Sequence, residues 1–358
     1  MTLESPHFTI ENGTDRRRIG PGNSTFIIAE MSGNHNQSFE RATSLVDAAA
    51  AAGVDAIKLQ TYTADTLTID CDNEYFQVGV NEAWAGKTLY ELYGEAFTPW
   101  DWQPKLKEYA ESKGLVFFST PFDVTAVDFL EEMEMPLYKV ASFETGDLPL
   151  LRRIGATQKP VIISRGLTSA EDLQLALQTL SDAGCPQVAV LHCVSSYPAS
   201  ATQMNLSTIP EIAERFGVVA GLSDHTLGLV VPIAAVSLGA SIIEKHFTLA
   251  RADGGPDAAF SLEPQELAEM VAAVRQTELA AGVPTFEIGD KESENIVFRK
   301  SIFVVEAIKE GEPFTADKIR IIRPGFGLAP KHYDSVIGQT ATQDIERGTP
   351  LSWELVAK

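Results

Sequence analysis

Residues 221–248 read GLSDHTLGLVVPIAAVSLGASIIEKHFT. VVAGLSDH, which leads into this stretch, is an apolar run ending in a polar corner at His225. SIIEKHFT repeats the form and turns polar at His246. Between them, LGLVVPIAAVSLGA reads as a short apolar helix closed by Gly239. Two almost wholly apolar strands joined by a helix form the unit of a parallel sheet buried on both faces. The two histidines then fall at the same end of neighbouring strands, which suits a divalent metal. One strand-end histidine is more often a hydrogen-bonded structural residue. Two at one end, each beside a charged residue (Asp224 and Lys245), point to a shared site.

The same unit recurs upstream. FIIAE (26–30), AIKLQT (56–61), VFFST (116–120), YKVAS (138–142), PVIISRG (160–166) and VAVLHCV (188–194) are six further apolar runs. Helical patterns separate them: the alanine-rich 41–52 closed by Gly53, then 100–113, 124–133, 148–156, a Ser169-capped helix to Ala183, and one within 206–216. A last helix follows at 264–281. Eight strands alternating with helices predict an α/β protein built on a closed (β/α)8 TIM barrel over residues 1–283. An open doubly wound sheet would call for a glycine fingerprint after the first strand, and MSGNHN does not fit it. A hairpin around Asn12-Gly13 is expected to close one end of the barrel. Residues 62–99 are too long for a connector and read as an active-site loop. Residues 284–297 are polar and read as a linker. Residues 298–358, punctuated by Gly and Pro, predict a small, mostly β domain. Alone it would be marginal, so it is expected to pack on another surface.

The chain has 358 residues, a net charge of −21 and an ordinary apolar content of 44%. That charge argues against nucleic acid or an anionic membrane surface as a partner, while leaving room for a local basic pocket. Cys71, Cys185 and Cys193 form no CxxC pair, as expected of a protein in a reducing cytoplasm. MTLESPHFTIENG lacks the order of a signal peptide, and no run approaches the ~18 apolar residues of a membrane span.

In a barrel, reactive groups come from the C-terminal ends of strands. Those ends offer Glu30, Lys58, Gln60, Ser119, Thr120, Lys139, Ser142, Ser164, Arg165, His192 to Tyr197, Ser223 to His225, and Glu244 to His246. Lys58 and Lys139 interrupt apolar runs, and a buried lysine is costly unless paired with an anion. With Ser142, Ser164 and Ser223 they suggest a bound phosphate or carboxylate, although each could be paired with a protein carboxylate. A metal beside an anion pocket suits the polarisation of a carbonyl next to a phosphorylated partner. Schiff-base chemistry at Lys58 or Lys139 is the rival use. Cys193 reads as a small buried hydrophobe. His35 and His192 stay open between structural and site roles.

Taken in order, FIIAEMSGNHNQS, AIKLQTY, FFSTPFD, YKVAS, GLSDHTLG, IIEKHFT and GGPDAAFS resemble the sialic acid (nonulosonic acid) synthase family. KLQTYTADTLTID, TLYELYGEAFTPWDW and CVSSYP are closest to its pseudaminic acid branch. Ser195 stands where neuraminate synthases more often carry asparagine. FRKSIFVV and IIRPGFGL look like the family's antifreeze-like (SAF) domain. The resemblance implies condensation of phosphoenolpyruvate with an N-acetylated amino sugar. In the pseudaminic branch that sugar is 2,4-diacetamido-2,4,6-trideoxy-L-altrose; N-acetylmannosamine or its diacetamido analogue serves the other branches. It further implies that His225 and His246 bind Mn2+ or Mg2+ and that Glu30 sits near the metal. Lys58, Thr120, Lys139, Ser142, Ser164 and Ser223 would hold phosphoenolpyruvate. Gln60, Tyr197 and Asp257 would contact the sugar, and Arg323 would reach it from a partner subunit in a domain-swapped homodimer. A Schiff-base aldolase and a non-catalytic carbohydrate-binding protein are the alternatives from other classes.

Overall fold

The computed structural model describes residues 6–12, 15–79 and 86–357 and divides into two units, Met1–Gly282 and Val283–Lys358. The first unit begins with an antiparallel hairpin, β1 (Phe8–Asn12) and β2 (Asp15–Ile19). Its turn at 13–14 lies outside the described residues. Phe8, Ile10 and Ile19 are buried in the barrel's hydrophobic core. The Thr9 amide donates to Gln187 Oε1 at 2.7 Å, just ahead of a barrel strand. The hairpin thus closes the end of the barrel where the strands begin.

Eight parallel strands then close on themselves. They alternate with helices as β3 (Phe26–Glu30), α1 (Phe39–Ala52), β4 (Ala56–Thr61), α2 (Ala64–Leu67), α3 (Leu89–Ala96), α4 (Gln103–Ser112), β5 (Val116–Pro121), α5 (Val124–Glu132) and β6 (Tyr138–Val140). The series continues with α6 (Leu148–Gly155), β7 (Val161–Arg165), α7 (Ala170–Asp182), β8 (Val188–Cys193), α8 (Thr208–Phe216), β9 (Val219–Asp224), α9 (Val230–Ser237), β10 (Ile242–His246) and α10 (Pro264–Ala281). Closure comes from β10 pairing with β3, from Ile242 beside Phe26 to His246 beside Glu30. Every residue of β3, β9 and β10 is buried, as a strand with helices outside and side chains inside requires. α1 explains its alanines: Ala42, Ala49 and Ala52 face inward with Leu45 and Val46, and small side chains let the helix lie close. Gly53 closes it in the left-handed region at φ 79°, its amide bonded to the Ala49 and Ala50 carbonyls.

One strand end and one connecting segment differ from expectation. β6 stops at Val140, so Ala141 and Ser142 leave the ladder. There the Ala141 carbonyl accepts from the Glu144 amide and the Thr145 hydroxyl, a turn that competes with pairing. The segment between β4 and α4 is not bare loop. α2 and α3 each start at a capping box, Thr63 with Thr66 and Thr88 with Glu91. Trp84, within this segment, lies outside the described residues.

The second unit has two regular strands, β11 (Ser301–Val304) and β12 (Ile319–Ile322), paired antiparallel. Elsewhere its β character consists of single bridges such as Ile308 with Ile345 and Ala341 with Val356. Gly and Pro keep each run short. A core of Ile302, Val304, Ile308, Phe314, Ile319, Val336 and Leu351 holds it together. Residues 284–297 contain a helical turn, α11 (Asp290–Ser293), and a second short helix, α12 (Tyr333–Val336), lies further on. Among the described residues no helix is long and apolar enough to cross a membrane.

Gly221 sits where β8, β9 and β10 crowd together. A Cβ there would lie 2.5 Å from the Ile242 carbonyl oxygen and 2.7 Å from Leu191 Cδ2. Gly221→Ala should therefore lower stability by about 1–3 kcal/mol. Urea unfolding checks this, and a wild-type midpoint would contradict the close approach.

Candidate active site

Side chains alternate along a strand, so residues two apart share a face. On β9 and β10 this alternation separates the polar residues. Ser223 and His225 line a cavity of about 410 Å³ at the C-terminal end of the barrel, as do Glu244 and His246. Asp224 and Lys245, one step out of phase, do not line it; they form a fully buried ion pair at 2.6 Å. Lys245 also donates to the Thr226 carbonyl. The charged neighbours of the histidines are thus a strut behind them, on the other face of the same strands.

Lys58, Gln60 and Thr120 reach the cavity from β4 and β5, and Lys139 and Ser164 from β6 and β7. Ser142 reaches it from the turn after β6. Ser119, a neighbour of Thr120, faces away and bonds Thr61, which in turn donates to Gln103 of α4. Lys58 Nζ lies 2.5 Å from Glu30 Oε2 and 3.0 Å from Thr120 Oγ1. Lys139 donates to Ser164 Oγ at 2.7 Å. Glu244 sits between the lysines, 3.9 Å from Lys58 and 3.8 Å from Lys139, and accepts from Ser223 at 3.0 Å. Both lysines therefore have protein carboxylates nearby, and their burial alone does not demand a bound anion. Glu244 is among the strand-end residues but carries no role in the sequence reading. Its phase with His246 is the signal that finds it.

This network sets the protonation of its members. Burial pushes the Glu30 carboxyl up to about 7, with Lys58 opposing and Glu244 reinforcing the rise. Burial also works against the charge on Lys58, but Glu244 and Glu30 override it and hold the ammonium above its usual value. Burial would raise Glu244 as well, yet Lys139 and Lys58 together hold it below the ordinary carboxylate value. Gln60 steadies Glu30 by donating to Oε1 at 3.1 Å.

The two imidazoles stand with ring centroids 5.3 Å apart. His225 Nδ1 meets the Val194 carbonyl at 3.0 Å, which directs that nitrogen to donate; burial works against a charge on the ring, but Cys193 and this carbonyl hold the imidazole above its usual value. Burial, and then the neighbouring His225, hold His246 neutral, well below the usual histidine value. Asp257 Oδ2 lies 3.7 Å from His246 Nδ1 and accepts from Ser32. Tyr197 packs on His225 at 4.4 Å and on Phe260 at 5.2 Å. Among the described residues no group of three or more His, Cys, Asp or Glu side chains is spaced to enclose an ion. The histidines therefore fit a divalent cation only as a two-nitrogen site whose other ligands would be oxygens of substrate or water.

Other residues fall differently from the sequence reading. Cys193 is buried but lines the cavity, its Sγ 3.9 Å from His225 Nδ1. Glu144, which the sequence did not single out, lines it too, and burial lifts its carboxyl to about 7. His35 stays outside: Nε2 bonds Thr98 Oγ1 at 3.1 Å, its ring meets Trp102 edge-on, and burial drops it to about 4. His192 is engaged with the Met204 carbonyl, also outside this cavity. Arg323 belongs to the second unit, just after β12.

The profile of the NeuB family matches residues 45–285, and that of the SAF domain matches residues 299–357. The chain belongs to the NeuB family. It is 41% identical over 326 residues to a pseudaminic acid synthase of Campylobacter jejuni, covering 91% of this chain and 95% of that one. It is 34% identical over 340 residues to the N,N'-diacetyllegionaminic acid synthase of Legionella pneumophila, covering 94% and 95%. Among solved structures, the N-acetylneuraminic acid synthetase of Leptospira borgpetersenii, in complex with citrate, superposes with a TM-score of 0.71. It is 33% identical and covers 82% of this chain and 97% of that one. Membership in the NeuB family accounts for the eight-stranded barrel and the SAF domain that follows it.

Removing one partner of the buried Lys245–Asp224 pair leaves a charge without compensation. Asp224→Ala should cost about 3–5 kcal/mol, and a double replacement, Asp224→Leu with Lys245→Met, should recover much of it. Urea denaturation of both variants makes the comparison. A single variant as stable as wild type would show that the pair does not brace the strands.

Proposed function

We propose that this cavity condenses phosphoenolpyruvate with 2,4-diacetamido-2,4,6-trideoxy-L-altrose and water, giving pseudaminic acid and phosphate. One observation carries the reading. Two lysines, four serines and two histidines converge on a single cavity in a chain 41% identical to a pseudaminic acid synthase. Lys58 and Lys139 bind the anionic groups of phosphoenolpyruvate, with Thr120, Ser142, Ser164 and Ser223 as hydroxyl donors. Gln60, Tyr197 and Asp257 orient the open-chain sugar. His225 and His246 would hold a divalent cation, Mn2+ or Mg2+, which would supply Lewis acidity toward the sugar's aldehyde. Carbon 3 of the enol phosphate bonds to the aldehyde carbon, water adds at carbon 2, and the carbon–oxygen bond to phosphate breaks. Glu30, with its carboxyl near 7, can hold or release a proton as the aldehyde oxygen becomes a hydroxyl. Fixed charge and orientation are the protein's main contributions.

Mass spectrometry of products tests the reaction. Phosphoenolpyruvate with the diacetamido sugar should give pseudaminic acid and one equivalent of phosphate. Product formed from N-acetylmannosamine instead would move the chain to the neuraminate branch. His225→Ala and His246→Ala should each lower kcat about 1000-fold or more with an unchanged circular dichroism spectrum. Chelator should abolish turnover, and borohydride should trap no adduct. Full turnover in chelator would overturn the metal assignment.

The second unit enters this reading through Arg323, proposed to contact the sugar's N-acyl group in the barrel of a partner subunit. Arg323→Ala should raise the sugar KM about tenfold or more and leave that of phosphoenolpyruvate in place. Mixing it with His225→Ala after co-refolding should restore activity, because one site in each mixed dimer would be intact. No complementation would count against the swapped arrangement.

A further inference from the structure

The segment between β4 and α4 takes no part in the chemistry above, yet it supplies much of the cavity wall. Leu67 of α2, Val78, and Leu89 and Leu92 of α3 all line the cavity. Tyr62 and Tyr93, also lining it, meet edge to face with ring centroids 5.7 Å apart. The wall is built rather than draped. The Val78 amide bonds the Lys87 carbonyl at 3.0 Å, Gln77 bridges to Thr88, and Thr88 caps α3. One cavity therefore has two linings: charged groups from the strand ends, and from this segment a mainly apolar set in which Gln77 and the hydroxyls of Tyr62 and Tyr93 are the polar side-chain groups. Phosphoenolpyruvate, small and multiply charged, is matched by the first. The second needs a ligand with an apolar edge.

We propose that this apolar wall is the specificity element of the sugar site, seating the methyl-bearing edge of a 6-deoxy, bis-N-acetylated sugar and discriminating against its 6-hydroxylated counterpart. The inference rests on the reading of the cavity as a synthase site for phosphoenolpyruvate and an amino sugar. A methyl group against Leu67, Val78, Leu89 and Leu92 loses only apolar contact with water, which favours binding. A hydroxyl there gives up its water and finds no partner on these side chains. An apolar pocket rejects an added hydroxyl by no more than about 100-fold, so discrimination of about 10- to 100-fold is expected.

The test is kcat/KM for 2,4-diacetamido-2,4,6-trideoxy-L-altrose against the same sugar bearing a 6-hydroxyl. It is run on wild type, on Val78→Thr, which keeps the shape, and on Leu89→Gln at a half-buried position. Wild type should prefer the deoxy sugar by tenfold or more. Each variant should narrow that ratio about tenfold, with the change in the sugar's KM rather than in that of phosphoenolpyruvate. Either variant suffices should the other not fold. Equal use of the two sugars by wild type, or an unchanged ratio in the folded variants, overturns the role of the wall and leaves the condensation reading standing. Product from neither sugar overturns that reading, and the proposal with it.

Discussion

A barrel strand has two buried faces, and the first unit depends on how its polar residues are divided between them. With helices outside and packed side chains inside, neither face offers water as a partner. Each polar residue must find its partner on its own side, and the period of two decides which side that is. On β9 and β10 the odd phase of one strand and the even phase of the other build the reactive face, while the remaining phase builds the Asp224–Lys245 strut. Slipping either strand by one residue would exchange the two sets. The site and its brace are therefore one solution to one packing problem.

The inward set is itself a balance of charges. Lys58 and Lys139 are opposed by Glu30 and Glu244, with Asp257 nearby. Such a cluster is tolerable in a buried site because each charge lies within reach of an opposite one. It holds the Lys58 ammonium above its usual value, while burial pulls Lys139 below its own, and it orients both side chains before any ligand arrives, which lowers the reorganisation that binding would otherwise require. Glu30, lifted to about 7 by burial, is a member whose charge can change near neutral pH.

Much of this was legible in the residues. The strands around 26–30, 56–61 and 242–246 were readable because uninterrupted apolar runs admit few other structures, and the helix over Pro264–Ala281 because its ends are marked by Pro and Gly. Lys58, Lys139 and the two histidines stood out as polar residues in apolar surroundings. Glu244 was harder, because in IIEKH it reads as one of three consecutive polar residues. Only the phase relation to His246 tells it apart from Lys245. The segment 62–99 was legible as an active-site loop, but its apolar lining was not. Leu67, Val78, Leu89 and Leu92 come from a segment whose path is fixed by contacts with the rest of the fold rather than by local periodicity. Ser142 is an intermediate case, reaching the cavity because β6 ends early.

The hairpin and the closing ladder carry a consequence for assembly. The bond from Thr9 to Gln187 spans 178 residues, and the first barrel strand pairs with the last. Contacts so distant in the chain repay their loop-closure cost only after most of the polypeptide is present. During synthesis, β3 emerges early and must wait for β10 before its open edge is satisfied. His246 meets Glu30 in that final pairing, so the site is completed by the same event that seals the barrel. A chain arrested before that step would hold the lysines without the second histidine and would leave a strand edge open to other molecules.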